Sequence, residues 1–137
     1  MATRPESQAN EIEVRELIDR WAAAVRNEDV AGIAANHDHD MLMFDVPPPF
    51  MLRGLDAYMK SWKLFFANVA KPVTFNFEDI EITSGADVAF ATAKGRCIAI
   101  DRAGKAAPLE FRLTMGLRKI DGEWRILHEH HSVPATD

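Results

Sequence analysis

The feature that most limits how this chain can fold is a change of hydrophobic period near Pro72. Before it, apolar residues recur at helical spacing: Val14, Leu17, Ile18, Trp21 and Val25 in one run, Tyr58, Trp62, Phe65, Phe66 and Val69 in another. After it they alternate, with turn signals at Ser84-Gly85-Ala86, Arg102-Ala103-Gly104 and Asp121-Gly122. Helices early and strands late indicate an α+β domain, here four long strands in a curled antiparallel meander. Such a sheet wrapped over helices is cone-shaped, and the floor of the cone can hold a ligand.

The same reading sets the boundaries. Residues 1–9 are polar and expected to be disordered; 10–137 form a single domain, because 137 residues build one substantial core. The spacing predicts helices from about Glu11 to Asn27, with Asn10 and Glu13 as a capping box, from about Asp29 to Asn36, and from Arg53-Gly54 to about Asn68. Between the last two, Met41 to Val46 reads as a short strand stopped by Pro47-Pro48-Pro49. A formal charge of -5 argues against nucleic-acid or anionic-membrane partners, which need a basic patch. No apolar run is long enough for a membrane span, and the opening residues lack a signal-peptide core, so the cytoplasm is expected. The single cysteine, Cys97, excludes an intramolecular disulfide and reads as a small core residue.

Chemistry concentrates in Trp124-Arg-Ile-Leu-His-Glu-His-His-Ser132, which holds three of the five histidines. If Asp121-Gly122 forms a two-residue hairpin turn, Leu117 faces Ile126, Met115 faces His128 and Leu113 faces His130. His128 and His130 then point inward and His131 outward, and no Asp or Glu points inward on these two strands. On the preceding strand Ala89, Ala91, Ala93, Gly95, Cys97 and Ala99 form a small-residue face beside Leu109, Phe111, Leu113 and Met115. That face leaves room close to His128 and His130. A register slip of one would turn Arg96 inward; otherwise it pairs outside with Glu110.

The order of elements, the segment Phe44-Asp-Val-Pro-Pro-Pro-Phe-Met-Leu-Arg-Gly54 and the ending Asp121-Gly-Glu-Trp-Arg-Ile-Leu-His-Glu-His-His-Ser132 resemble the SnoaL-like, ketosteroid-isomerase-like branch of the nuclear transport factor 2-like superfamily. The Trp124-x-x-x-His128-x-His130-x-Ser132 spacing is also similar to the association domain of calcium/calmodulin-dependent protein kinase II. The resemblance implies a cone-shaped (cystatin-like) α+β barrel with an internal pocket, often dimeric through the outer sheet face. Relatives of this kind are isomerases, cyclases, epoxide hydrolases, dehydratases or non-catalytic assembly domains. The isomerase pattern of a first-helix tyrosine and inward aspartates is not met, since the only tyrosine is Tyr58 on the third helix and Trp21 stands on the first.

The candidate catalytic residues are therefore His128, His130 and Asp45. Imidazoles exchange protons near neutrality, and Asp45 ends the first strand, where the resemblance implies that the pocket opens. The alternative for the histidines is hydrogen bonding within a polar core, and for Asp45 a turn-capping role. Tyr58, Trp62, Phe111, Met115 and Arg53 are the candidate ligand contacts. Metal is not expected: zinc needs three or four converging ligands, and His37, His39 or Asp45 would have to complete the pair. The run His37–Asp40 reads instead as an exposed helix end. The expected protein binds a small molecule without a cofactor, as a homodimer. It is either an acid/base isomerase, dehydratase or hydrolase of a small apolar substrate, or a non-catalytic ligand-binding or assembly domain.

Overall fold

The computed structural model describes residues 2–136. In chain order the elements are α1 (Arg4–Arg26), α2 (Val30–Ala34), β1 (His37–Phe44), β2 (Leu52–Arg53), α3 (Leu55–Ala67), β3 (Val69–Ser84), β4 (Val88–Asp101), β5 (Ala106–Ile120) and β6 (Glu123–Ser132). The α+β class and the four-strand meander are as the periodicity predicts.

Two helix ends differ from that reading. α1 begins at Arg4, because Thr3 and Glu6 make the cap that Asn10 and Glu13 were expected to make. The Glu6 backbone N–H donates to Thr3 Oγ1 at 3.2 Å, and a proline stands in the first turn. Residues 4–9, expected to be disordered, are thus the first turns of α1, while Met1 lies outside the described residues. Asn10 is buried, and its Nδ2 donates to the Gly85 carbonyl at 2.9 Å, fastening α1 to the β3–β4 turn.

The second difference concerns His37–Asp40, which opens β1 instead of ending a helix. The chain leaves the helical path at Ala35, with ψ 139°, and Asn36 follows at φ 66°, the left-handed region that Asn tolerates. Its carbonyl accepts the Ile126 N–H at 2.6 Å, so β1 starts alongside β6 with His37 buried.

The strands form one sheet in the order β2-β1-β6-β5-β4-β3, with β1 parallel to β6 and the other neighbours antiparallel. β2 and β3 are free edges, so the sheet is open. The β3–β4 ladder breaks between Ala70 and Thr74 and again between Glu78 and Glu81. Such bulges bend a strand and increase its twist, which curls this end of the sheet over α1. Val14, Leu17, Ile18 and Trp21 of α1 and Tyr58 of α3 pack into the concave face against Leu113, Met115, Leu117 and Ile126, all essentially inaccessible. Burying each such side chain contributes about 2 kcal/mol.

The small-residue strand lies where expected: Ala91 pairs with Met115, Ala93 with Leu113, Gly95 with Phe111 and Cys97 with Leu109, and Arg96 stands exposed opposite Glu110. The room above it is occupied, however. A Cβ on Gly95 would lie 2.4 Å from Phe111 Cζ, so the Phe111 ring fills that space. Trp21 stacks on Phe77 at 5.4 Å and meets Phe75 edge-on at 5.3 Å. Small residues here accommodate aromatic rings, and the open cavity lies further along the cone.

Candidate functional site

The site follows from the β5–β6 hairpin. Asp121 and Gly122 have φ of 52° and 81°, the pair of left-handed conformations that a tight hairpin turn needs, and Leu117 stands opposite Ile126 as expected. One step further the ladder shifts, and His128 pairs with Gly116 instead of Met115. Leu127 is the additional residue of a β-bulge, and it reverses every side chain that follows.

The expected orientation of the histidines is therefore corrected. Glu129 and His131 face the core, at 0% and 8% exposure, whereas His128 is half-buried and His130 exposed. His128 Nδ1 bonds to the Leu42 carbonyl at 2.7 Å, and Phe44 stands edge-on to His128 and His130 at 4.7 and 5.2 Å. Those two rings lie on the opposite sheet face from His37 and the Asp45–His131 pair. Among the described residues no group of three or more His, Cys, Asp or Glu is placed to hold a metal ion.

Behind the cavity wall Glu129 gathers a fully buried network. Its Oε2 meets His37 Nε2 in a very short contact and accepts the Tyr58 hydroxyl at 2.8 Å. Trp21 Nε1 donates to the Tyr58 oxygen at 3.1 Å. Glu129 Oε1 accepts from His131 Nε2 at 3.0 Å, and the other ring nitrogen, Nδ1, lies 3.4 Å from Asp45 Oδ1. His131 is thus held between a buried carboxylate and one that is partly open. Asp45 Oδ1 also accepts the Val46 N–H at 2.8 Å, while no hydrogen bond to Oδ2 occurs among the described residues.

The electrostatics follow from these contacts. Burial pushes the Glu129 carboxyl up, but the His37 charge and the hydrogen bond from His131 outweigh it and hold it at about 2. Burial pushes His131 down, yet its bonds to Asp45 and Glu129, reinforced by their charges, raise it to about 9. Burial and the Glu129 charge push the Tyr58 phenol well above its ordinary value, so it remains a donor. At neutral pH His131 is an imidazolium on the cavity wall.

A stability profile follows. His131 is raised above its ordinary 6.5, so its contribution is complete below pH 6.5 and lost as pH rises through about 9. Glu129 is depressed below 4.5, so its contribution is complete above pH 4.5 and lost as pH falls through about 2. Unfolding free energies from urea titration should be highest between these limits and fall on the alkaline side by an amount on the order of 3 kcal/mol. A midpoint that stays flat from pH 6 to 9.5 would disprove the buried ion pair.

The cavity itself, of about 620 Å³, opens between α3, the proline segment after β1 and the concave sheet. Met43, Trp62, Phe65, Phe75 and Phe111 make its apolar wall, Pro47–Pro49 its rim, and Asp45 and His131 its principal polar pair. Lys60, Ser61 and Asn68 border it from α3. Of the residues expected from sequence, Asp45, Trp62 and Phe111 line this space. Tyr58 lies behind the wall on Glu129, Met115 is fully enclosed in the core, and Arg53 is exposed with Nη1 donating to the Asp40 carbonyl at 3.1 Å. His128 and His130 do not border it. Glu129, His131 and His37 were missed, and one signal was available. Gly116 in one strand and the apolar doublet Ile126-Leu127 in the other both break strict alternation, as a bulge does.

The family model of the SnoaL-like domain matches residues 14–136. The chain belongs to the SnoaL-like family. Among solved structures, a nuclear transport factor 2-like protein of unknown function from Pseudomonas putida KT2440 is 32% identical over 93% of this chain and 89% of that one, with a TM-score of 0.85. A candidate scytalone dehydratase from Novosphingobium aromaticivorans shares the fold at 14% identity, 96% and 89% coverage and a TM-score of 0.85. A ketosteroid isomerase-like protein from Erwinia carotovora atroseptica does so at 17% identity, 90% and 96% coverage and a TM-score of 0.74. A search of curated proteins gives no match. Among the described residues of this SnoaL-like domain, no helix is long and apolar enough to cross a membrane.

Proposed function

We propose that this SnoaL-like domain is a cofactor-independent acid/base catalyst acting on a small, largely apolar carbonyl compound, by isomerisation or loss of water. The observation that carries this reading is the imidazolium of His131 on the wall of an apolar cavity, fixed from behind by Glu129 and facing Asp45. A strongly perturbed titratable group on the wall of a cavity of this size, facing a carboxylate, marks a candidate reaction site. The dehydratase and isomerase names of two proteins with the same fold point the same way.

In the proposed cycle Asp45 Oδ2 accepts a proton from the carbon beside the substrate carbonyl. The electron pair moves toward the carbonyl oxygen, which takes a hydrogen bond from His131 Nδ1–H. The 3.4 Å separation of Nδ1 and Asp45 Oδ1 is long, so a substrate oxygen can take over that donor. In isomerisation Asp45 returns its proton to another carbon. In dehydration His131 protonates the departing hydroxyl, water leaves, and Asp45 passes its proton to His131 Nδ1, which restores both groups.

The test is incubation with a panel of alicyclic and aryl ketones and β-hydroxyketones in deuterium oxide, followed by proton NMR. Deuterium uptake at the α carbon or formation of the enone is expected. Compounds that bind but show neither would leave the non-catalytic ligand-binding reading in its place.

The homodimer belongs to this proposal as well. The outer face of β4–β6 presents Val88 and Phe90, 56% and 52% exposed, together with Arg112 and His130. Arg112 and Arg125 stay available to such an interface, whereas Glu129 is enclosed in the core. Sedimentation equilibrium should give twice the chain mass. A monomer at tens of micromolar protein would remove the dimer from the proposal.

A further inference from the structure

The cavity has polar groups of two kinds. Asp45 and His131 meet at the inner surface, and the remaining polar side chains on its border, Lys60, Ser61 and Asn68, come from α3 and its C-cap. Two of these are already engaged by their own helix: Ser61 Oγ donates to the Tyr58 carbonyl at 2.6 Å, and Asn68 Nδ2 donates to that of Leu64 at 2.8 Å. Lys60 is different. It is exposed, borders the cavity, and takes part in no ion pair among the described residues. Apart from Ser61 and Asn68, the neighbours that share the cavity with it from this stretch are apolar: Ala57, Trp62, Leu64 and Phe65.

We infer that the ligand is an anionic amphiphile: an apolar body, filling the aromatic part of the cavity, that carries a carboxylate or similar anion toward Lys60. This deepens the proposed function and rests on it for the position of the reacting carbon, at Asp45. The charge pattern separates the two ends. His131 is already paired with both Asp45 and Glu129, so its charge is offset, whereas Lys60 has no such partner among the described residues; the carbon acid or hydroxyl that Asp45 acts on is neutral. A cation on the border of an apolar cavity, without a carboxylate partner among the described residues, favours a negative group on whatever enters. The long aliphatic stem of Lys60 also extends the apolar wall while its ammonium stays in water, so the anion need not be stripped of solvent.

Fluorescence titration of the full chain with two dyes of nearly the same skeleton tests this. One is 8-anilinonaphthalene-1-sulfonate and the other the neutral N-phenyl-1-naphthylamine. Wild-type protein should prefer the sulfonate, and Lys60→Gln should weaken the sulfonate alone by about fivefold, the value of one partly exposed ion pair. Raising the salt concentration should reproduce that loss in the wild type. Bound dye should slow the reaction of Cys97, the single cysteine and a cavity-lining residue, with N-ethylmaleimide. Equal affinity for both dyes, or a Lys60→Gln variant that loses both or neither, would overturn the inference. So would dye binding that leaves Cys97 unprotected. These readouts need no turnover, so failure of the catalytic proposal leaves the anion preference standing or falling on its own result.

Discussion

Replacing Glu129 by Ala should lower stability by about 4 kcal/mol, the cost of breaking a buried ion pair from one side. For a chain of this length that is a fall in Tm on the order of 15 °C. The reasoning is an accounting of polar groups. Glu129 is inaccessible and satisfies His37 Nε2, the Tyr58 hydroxyl and His131 Nε2 together. An alanine leaves two imidazoles and a phenol facing a dry void, with no acceptor for any of them. Glu129→Gln separates charge from shape, since the amide oxygen still accepts but no longer holds a cation. In that variant His131 should titrate well below its native value of about 9, which NMR of the ring protons reads directly. If Glu129→Ala keeps the wild-type urea midpoint, or if His131 titrates unchanged in Glu129→Gln, the buried carboxylate is not the anchor of the network.

The elements of the fold were legible because each rests on a local rule. Helical spacing located α1 and α3, the Asp121-Gly122 turn gave the Leu117–Ile126 pair, and alternation placed Ala91, Ala93, Gly95 and Cys97 beside their partners on β5. What stayed hidden was a single inserted residue. The bulge at Leu127 costs the sheet one ladder position, and hydrophobic patterning opposed it, because without the bulge a glutamate faces solvent and with it the glutamate is buried. The charged residue became an interior one because His37, Tyr58 and His131 come to it from β1, α3 and its own strand, and such long-range compensation leaves no local trace in sequence. His37 was concealed for a related reason: its exposure depended on whether Asn36 continued a helix or turned left-handed. Asp45, by contrast, borders the cavity where the first strand meets three prolines, the place at which the resembled family's pocket opens.

The largest effect on activity is expected at Asp45. Asp45→Asn preserves shape and the acceptor for the Val46 N–H, so the fold and ligand affinity should change little, yet it removes the only carboxylate on the cavity border among the described residues. With a substrate found in the deuterium-oxide screen, kcat should fall about 10³-fold, the scale of a positioned general base, with KM nearly unchanged. His131 should behave differently. His131→Gln keeps a donor near the substrate oxygen but not a cationic one, so its loss should be smaller, and the alkaline limb of the wild-type pH profile near 9 should disappear with it. In Glu129→Gln the same limb should move to lower pH, because one of the two carboxylates that keep His131 protonated has lost its charge. These three responses distinguish a base, a donor and a positioning residue acting through the donor. Turnover that survives in Asp45→Asn would assign proton abstraction elsewhere. Turnover that vanishes in Asp45→Asn but ignores both His131→Gln and Glu129→Gln would reduce the imidazolium to a structural tie between β6 and the end of β1.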